Sequence, residues 1–270
     1  MKDKRILYVS SEVIPYLPET EISSMSFEAP RLVNSKKGQI RIFMPRYGNI
    51  NERRHQLHEV IRLSGMNLVI NDMDMPLIIK VASIPKERMQ VYFIDNEEYF
   101  KRKATYGDEN GKFYSDNDER AIFFAKGVIE TVKKLNWSPD IIHVHGWLAS
   151  FLPLYLRNYY DKEPLFENSK IITSVYGQGF DGKLSDGVID KLKFDNIKEE
   201  NIQELKEPDY INMMKVAIKN SDALILGSED IPEPLSDYLK ELEMPMLKYH
   251  KKEEFSEAYL DFYLSKVLEQ

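Results

Sequence analysis

The 270-residue chain contains no cysteine, which excludes disulfides, thiolate zinc sites and cysteine nucleophiles. Glycine is scarce too, at 12 residues against a usual frequency of ~7%, so glycine-rich phosphate loops have little to be built from. No apolar run approaches the ~20 residues of a membrane-spanning helix, and no membrane partner is expected. Nor is positive charge in excess: the balance is 37 − 44 = −7. Pairs such as Lys133-Lys134 and Lys251-Lys252 sit among acids rather than on a basic stripe, which argues against a nucleic-acid partner. What is present is a globular composition, 43% hydrophobic and 11% aromatic, enough to exclude disorder of the whole chain. Met1 to Arg5 leads into a short apolar run and then Ser10-Ser11-Glu12, the pattern of a first strand and not of a signal peptide. A soluble, cytoplasmic protein is expected.

The chain alternates strand and helix signals. Ile6 to Val9 and Gln39 to Met44 read as buried strands, with a helix over Ser24 to Lys37 between them and Gly38 as its C-cap. Strand, helix, strand implies a parallel pair. Between Leu57 and Ile94 the pattern shifts to short runs, Leu68–Ile70, Leu77–Ile79 and Val91–Ile94, which predict a small antiparallel excursion. Residues 101–112 read as a polar, mobile loop. Asn117 to Leu135 carries the clearest helical stripe, with Asp116 and Glu119 as its capping box. Strands follow at 140–145, 170–175 and 223–227, helices at 147–160, 211–220, 234–243 and 253–268. The fold class expected is α/β, a Rossmann-like parallel sheet with helices on both faces. Phe255, Ala258, Tyr259 and Phe262 give the last helix an apolar face, read as packing back on its own domain.

Few residues invite catalysis. Five histidines leave room for a metal, but His143 and His145 have no third ligand near them in sequence, and a catalytic zinc needs three; no metal and no cofactor are expected. His143 reads as a satisfied core residue. A lone carboxylate such as Glu12 cannot run glycoside hydrolysis, which needs two, and no Gly-x-Ser-x-Gly elbow exists. Gly177-Gln178-Gly179 reads as a turn.

Six stretches, in order, carry a family resemblance: "ILYVSSEVIPYL" (6–17), "IFMPRYGNI" (42–50), "VYFIDNEEYFKRKATYG" (91–107), "YSDNDERAIFFAKG" (114–127), "PDIIHVHGWLASFLPLYL" (139–156) and "INMMKVAIKNSDALILGS" (211–228). Over about residues 5–240 the chain resembles the N-terminal half of the bacterial starch/glycogen synthases. The resemblance implies a GT-B-type, retaining glucosyltransferase reaction, from ADP-glucose to the end of an α-1,4-glucan. It also implies two Rossmann-like domains across a cleft, acceptor mainly on the first and nucleotide-sugar mainly on the second. Residues 1–270 are expected to form one such N-terminal-type domain, since nothing after Ser228 resembles a second nucleotide-binding unit.

The motifs of that family are altered here. Its Lys-Thr-Gly-Gly-Leu turn, with an aspartate shortly after, aligns so that the lysine falls on Pro18, the glycines on Thr20 and Glu21, and the aspartate on Ser24. Glycines let backbone N–H groups reach phosphates and the lysine neutralises them; Pro18 lacks a donor and Glu21 brings a like charge. The family's His-Asp-Trp-His reads His145-Gly146-Trp147-Leu148, and its Thr-x-His-Asn reads Thr173-Ser174-Val175-Tyr176. The carboxylate has become Gly146, one imidazole Leu148, and the sugar-contacting imidazole Val175. Charge complementarity to the transition state and the departing diphosphate is therefore missing.

Tyr114, Asp116 and Asn117 match the family's Tyr-x-Asp-Asn and are candidates for an acceptor-facing rim, although helix capping suffices to explain Asp116 and Asn117. His145 and Trp147, at the carboxyl end of a strand where open parallel sheets bind ligands, and Glu12 at the same edge, complete a candidate residual glucan site. The reading taken is a catalytically inactive relative that keeps at most weak binding of α-glucan, maltooligosaccharide or a protein. Two alternatives stand beside it: an active synthase subunit whose second domain is a separate polypeptide, and a regulatory or structural partner of a complete synthase.

Overall fold

A computed structural model describes residues 1–269. The chain opens with β1 (Arg5–Ser10), α1 (Glu21–Ser35) and β2 (Gln39–Pro45), then α2 (Glu52–His55), β3 (His58–Glu59), β4 (Met66–Ile70), β5 (Met73–Ile84), β6 (Met89–Asp95) and α3 (Glu97–Phe100). It continues through α4 (Asn117–Lys134), β7 (Ile141–His145), a 3₁₀ turn (Trp147–Ala149), α5 (Phe151–Asn158) and β8 (Lys170–Val175). Then come α6 (Val188–Phe194), α7 (Tyr210–Lys219), β9 (Ala223–Leu226), α8 (Glu233–Lys240), β10 (Met246–Leu247) and α9 (Phe255–Asp261), which runs on as a wider π-helical stretch, Phe262–Leu268.

Among the described residues the strands join in the order β10-β9-β8-β7-β1-β2-β6-β5-β3, with β4 paired to β5. Every pair from β10 to β6 is parallel. The pairs of β5 with β6, β3 and β4 are antiparallel, which is the excursion the sequence predicts. All five residues of β7 are buried, so helices cover both faces of the sheet; this is why the central strands read as unbroken apolar runs rather than alternating ones. Strand order turns around at β1, and the crevice at the carboxyl ends of β1 and β7 is where a doubly wound sheet places a ligand.

Three local features differ from expectation. Helix α1 starts three residues earlier than Ser24, at Glu21, because Thr20 and Ser23 form a reciprocal capping box there. At its other end Lys37, not Gly38, takes the left-handed conformation (φ 64). Gly38 is needed for closeness instead: a Cβ there would lie 2.4 Å from Val33 Cγ1. Asp116 occupies the N-cap of α4 but makes no capping bond. Its carboxylate is turned to Arg102, whose Nη1 donates at 2.6 Å, while Glu119 accepts from Tyr99 OH at 3.0 Å. A bidentate guanidinium outcompetes a backbone N–H for the same oxygens.

The terminal helix lies on the domain. Phe255, Tyr259, Phe262, Tyr263 and Val267 are buried, and α9 packs against α1. No helix among the described residues is long and apolar enough to cross a membrane.

Candidate functional site

Strand β1 delivers Ser10, Ser11 and Glu12 to the crevice, and all three are buried. Ser10 Oγ donates to the Glu12 carbonyl at 2.6 Å and meets Ser26 Oγ at 2.7 Å, so the strand end is tied to α1. The Glu12 carboxylate is enclosed: Thr20 Oγ1 donates to one oxygen at 2.8 Å and Tyr106 OH to the other at 2.9 Å. Each carboxylate oxygen already accepts one hydrogen bond from within the chain.

The turn before α1 is a closed helix cap. Thr20 Oγ1 accepts from the Ser23 N–H at 3.0 Å, and Ser23 Oγ accepts from the Thr20 N–H at 2.8 Å. This reciprocal pair consumes donors that a helix N-terminus otherwise offers to an anion. Ser24 Oγ donates to Glu19 at 3.1 Å, and Glu21 accepts from Ser228 Oγ. A cleft of about 370 Å³ opens here, lined by Glu19, Glu21, Ser24, Tyr249, His250 and Lys252 among others. Lys252 pairs with Glu19 at 3.4 Å. Pro18 contributes only its carbonyl, which accepts from Ser23 Oγ at 2.9 Å.

At the end of β7, His143 and His145 lie ring to ring, 4.0 Å between centroids. His143 is satisfied on both nitrogens, Nδ1 by Tyr263 OH at 2.7 Å and Nε2 by Ser174 Oγ at 2.8 Å, as the core reading requires. Burial, and then the neighbouring His145, hold its pKa well below the ordinary imidazole value. His145 Nδ1 meets Tyr176 OH at 2.7 Å, Nε2 has no partner, and burial pushes this imidazole down to about 3. Both rings are neutral at pH 7.

Gly146 follows with φ 79 and ψ 155, a region essentially reserved for glycine. Trp147 is buried behind Tyr106, Phe113 and Phe180, at 4.9, 5.6 and 4.9 Å between centroids. Leu148 and Val175 are fully buried and present no polar group.

Of the candidate glucan residues, Tyr114 alone keeps a half-exposed ring, with the Arg102 guanidinium 4.6 Å over it. Asn117 is buried; its Nδ2 donates to the Tyr106 carbonyl at 2.8 Å and its Oδ1 accepts from Arg120 at 2.5 Å. Burial opposes ionisation of Asp116, but the hydrogen bonds and charge of Arg102 outweigh it and hold the carboxyl below its usual range. Glu12 and Trp147 meet through Tyr106, His145 lies against Tyr176, and all three are buried. Within the loop read as mobile, Tyr106 OH donates to Glu12 and the Thr105 carbonyl accepts from Arg120 Nη2 at 2.9 Å.

Spacing gave no signal for Tyr106, Tyr176, Ser228 or Tyr263, which hold the site together. Each lies more than 20 residues from its partner in the chain. The clue available was composition: 16 tyrosines, several at the ends of apolar runs.

Fold and crevice together define the class: a Rossmann-like half of a GT-B glycosyltransferase. The family model for the starch synthase catalytic domain matches residues 5–243, and the chain belongs to that family. The glycogen synthase of Chlorobium limicola is 36% identical over 226 residues, 83% of this chain and 45% of that protein. That of Chlorobium luteolum is 34% identical over 230 residues, 84% and 46%. The chain thus spans just under half the length of these curated relatives. Among solved structures, the catalytic domain of starch synthase IV from Arabidopsis thaliana, bound to ADP and acarbose, shares the fold with a TM-score of 0.69. It has 16% identity and covers 83% of this chain and 45% of that one.

Proposed function

We propose that this chain is a cytoplasmic, catalytically inactive starch/glycogen synthase-like domain. It transfers no glucose by itself and retains at most weak binding of an α-glucan or a protein. One observation carries the reading. The turn from Pro18 to Ser24, aligned with the family's phosphate-holding turn, uses the N–H groups of Thr20 and Ser23 in its own helix cap and adds the carboxylates of Glu19 and Glu21 to the cleft, with Lys252 as the lysine beside them. A diphosphate there meets two like charges and two donors already bonded, the reverse of what its departure requires. Gly146 agrees, since its backbone leaves no room for the carboxylate its relatives carry.

Glucan contact, on this reading, falls to Tyr114 and the rim around Arg102, because Glu12, His145 and Trp147 are buried. The test is incorporation of labelled glucose from ADP-glucose into glycogen, together with calorimetry of ADP and of maltooligosaccharide. No incorporation, no ADP binding and millimolar oligosaccharide binding are expected. Incorporation by the purified chain sinks the reading.

A second reading is an active synthase half: just under half of each relative is matched, and a nucleotide-sugar domain placed across the crevice would complete a transferase. Glucose transfer that appears only when such a domain is added supports that reading against the first.

A further inference from the structure

The sheet edge opposite the candidate site carries a second cleft, of about 540 Å³, where β2 and β6 begin. It holds the guanidinium groups of Arg41 and Arg88, the amides of Asn34, Gln39 and Gln90, and the indole of Trp137, and no carboxylate lines it. The two stretches that build it, 34–41 and 83–90, contain Lys36, Lys37, Arg41, Lys86 and Arg88 against Glu87 alone, 5 − 1 = +4, in a chain whose total is −7. Glu87 lines a neighbouring groove on the α1 side.

Arg41 is the informative residue. Its guanidinium carbon lies 5.1 Å from the Trp137 ring centroid and 5.5 Å from that of Tyr92, and one Nη donates to the Tyr92 hydroxyl. Its Nε is buried and has no partner. Every ion pair among the described residues leaves out both Arg41 and Arg88. A cation held between aromatic rings with an unmet N–H costs stability unless an anion supplies the acceptor. Arg5, Arg53, Arg54, Arg62 and Arg120 also stand outside the ion pairs of the described residues; Arg41 and Arg88 differ in facing one cleft that no carboxylate lines.

We propose that this cleft is a binding site for a small organic phosphomonoester. The phosphate oxygens accept from Arg88 and from the Arg41 guanidinium, which turns its buried Nε outward on binding, since guanidinium forks match phosphate geometry. The uncharged remainder lies against the three amides and Trp137. The volume falls within the ~300–1,000 Å³ range of small-molecule sites. The site is separate from the crevice: Arg5 pairs with Gln39 at this end of the sheet, and the six residues from there to Ser11 span ~20 Å.

The chain has two tryptophans, Trp137 and Trp147, so two indole N–H resonances report one on each site. Titration of the full chain with phenyl phosphate, at constant ionic strength in chloride, shifts the Trp137 resonance saturably and leaves Trp147 unmoved. Inorganic phosphate produces the same shift with weaker affinity. Arg88→Gln weakens binding about tenfold or more, as loss of a charge-assisted bond does. Arg41→Lys, which keeps the charge and loses Nε, weakens it as well. The proposal is overturned by a Trp137 resonance that does not saturate at millimolar phenyl phosphate, or by equal affinity for inorganic phosphate. Unchanged affinity in Arg88→Gln overturns it too. Thermal melts of both variants separate lost binding from lost folding.

Discussion

Gly146 and Ser11 occupy one another's space: a Cβ built on Gly146 would stand 1.8 Å from Ser11 Oγ. The two residues end neighbouring parallel strands, and the Ser11 N–H donates to the His145 carbonyl at 2.9 Å. Gly146 holds a backbone conformation essentially reserved for glycine, and the Ser11 hydroxyl fills the space that a side chain there would take.

An aspartate at this position should cost stability. Gly146→Asp is expected to lower stability by about 3 kcal/mol or more, combining a penalty of ~1–3 kcal/mol for the strained backbone with a similar one for overpacking. Urea denaturation measures it. Gly146→Ala made in a Ser11→Gly background should recover the packing share and keep the backbone share. Full recovery would show that the backbone imposes no cost.

The helix cap is predicted to matter for both α1 and Glu12. Thr20→Ala removes the acceptor of the Ser23 N–H and one donor to Glu12, and should cost about 1–2 kcal/mol. Thr20→Ser keeps both bonds and should lie within ~0.5 kcal/mol of the parent. Equal losses in the two variants would refute the capping account.

The terminal helix is latched through one hydroxyl. Tyr263 OH meets His143 Nδ1 at 2.7 Å and Tyr8 OH at 3.4 Å. Tyr263→Phe preserves shape but strands the imidazole nitrogen, for a cost of about 1–3 kcal/mol. Faster amide exchange over residues 255–268 should accompany it. Tyr259→Phe, which breaks no hydrogen bond of His143, is the control and should leave exchange near the parent rate.

Acid should loosen the same region. His145 is pushed down to about 3 and His143 lies well below its ordinary value, both chiefly by burial. The unfolded chain then binds more protons than the folded one between about pH 3 and the unfolded value near ~6.5. Stability is fully present above ~6.5 and falls as pH drops, by up to about 1.4 kcal/mol per pH unit for each imidazole. His145→Gln should reduce that slope by about one imidazole's share, read from denaturation midpoints between pH 7 and pH 5. An unaltered slope would mean that the acid limb belongs to other groups.

Much of this was legible in the chain. Buried parallel strands announce themselves as short apolar runs, and β8 falls on Lys170–Val175 as the pattern predicts. The antiparallel excursion was equally plain, because its strands alternate and its turns carry Asp and Pro. Helix ends were harder. Asp116 had the right residue type and spacing for a cap, yet Arg102, remote in sequence, took its carboxylate. The short strand β10 escaped notice because two residues carry no periodicity; only its pairing with β9 makes them a strand.

The sequence by itself determined the family and the α/β layering, because these depend on residue type and order along the chain. The tertiary structure alone decided that Glu12 is enclosed, that His145 is buried with one nitrogen unmet, and that Arg41 faces a cleft without a carboxylate. Those facts depend on which distant side chains arrive at a point in space. A group's solvation, and so its charge and its use, is set by neighbours that no local pattern names.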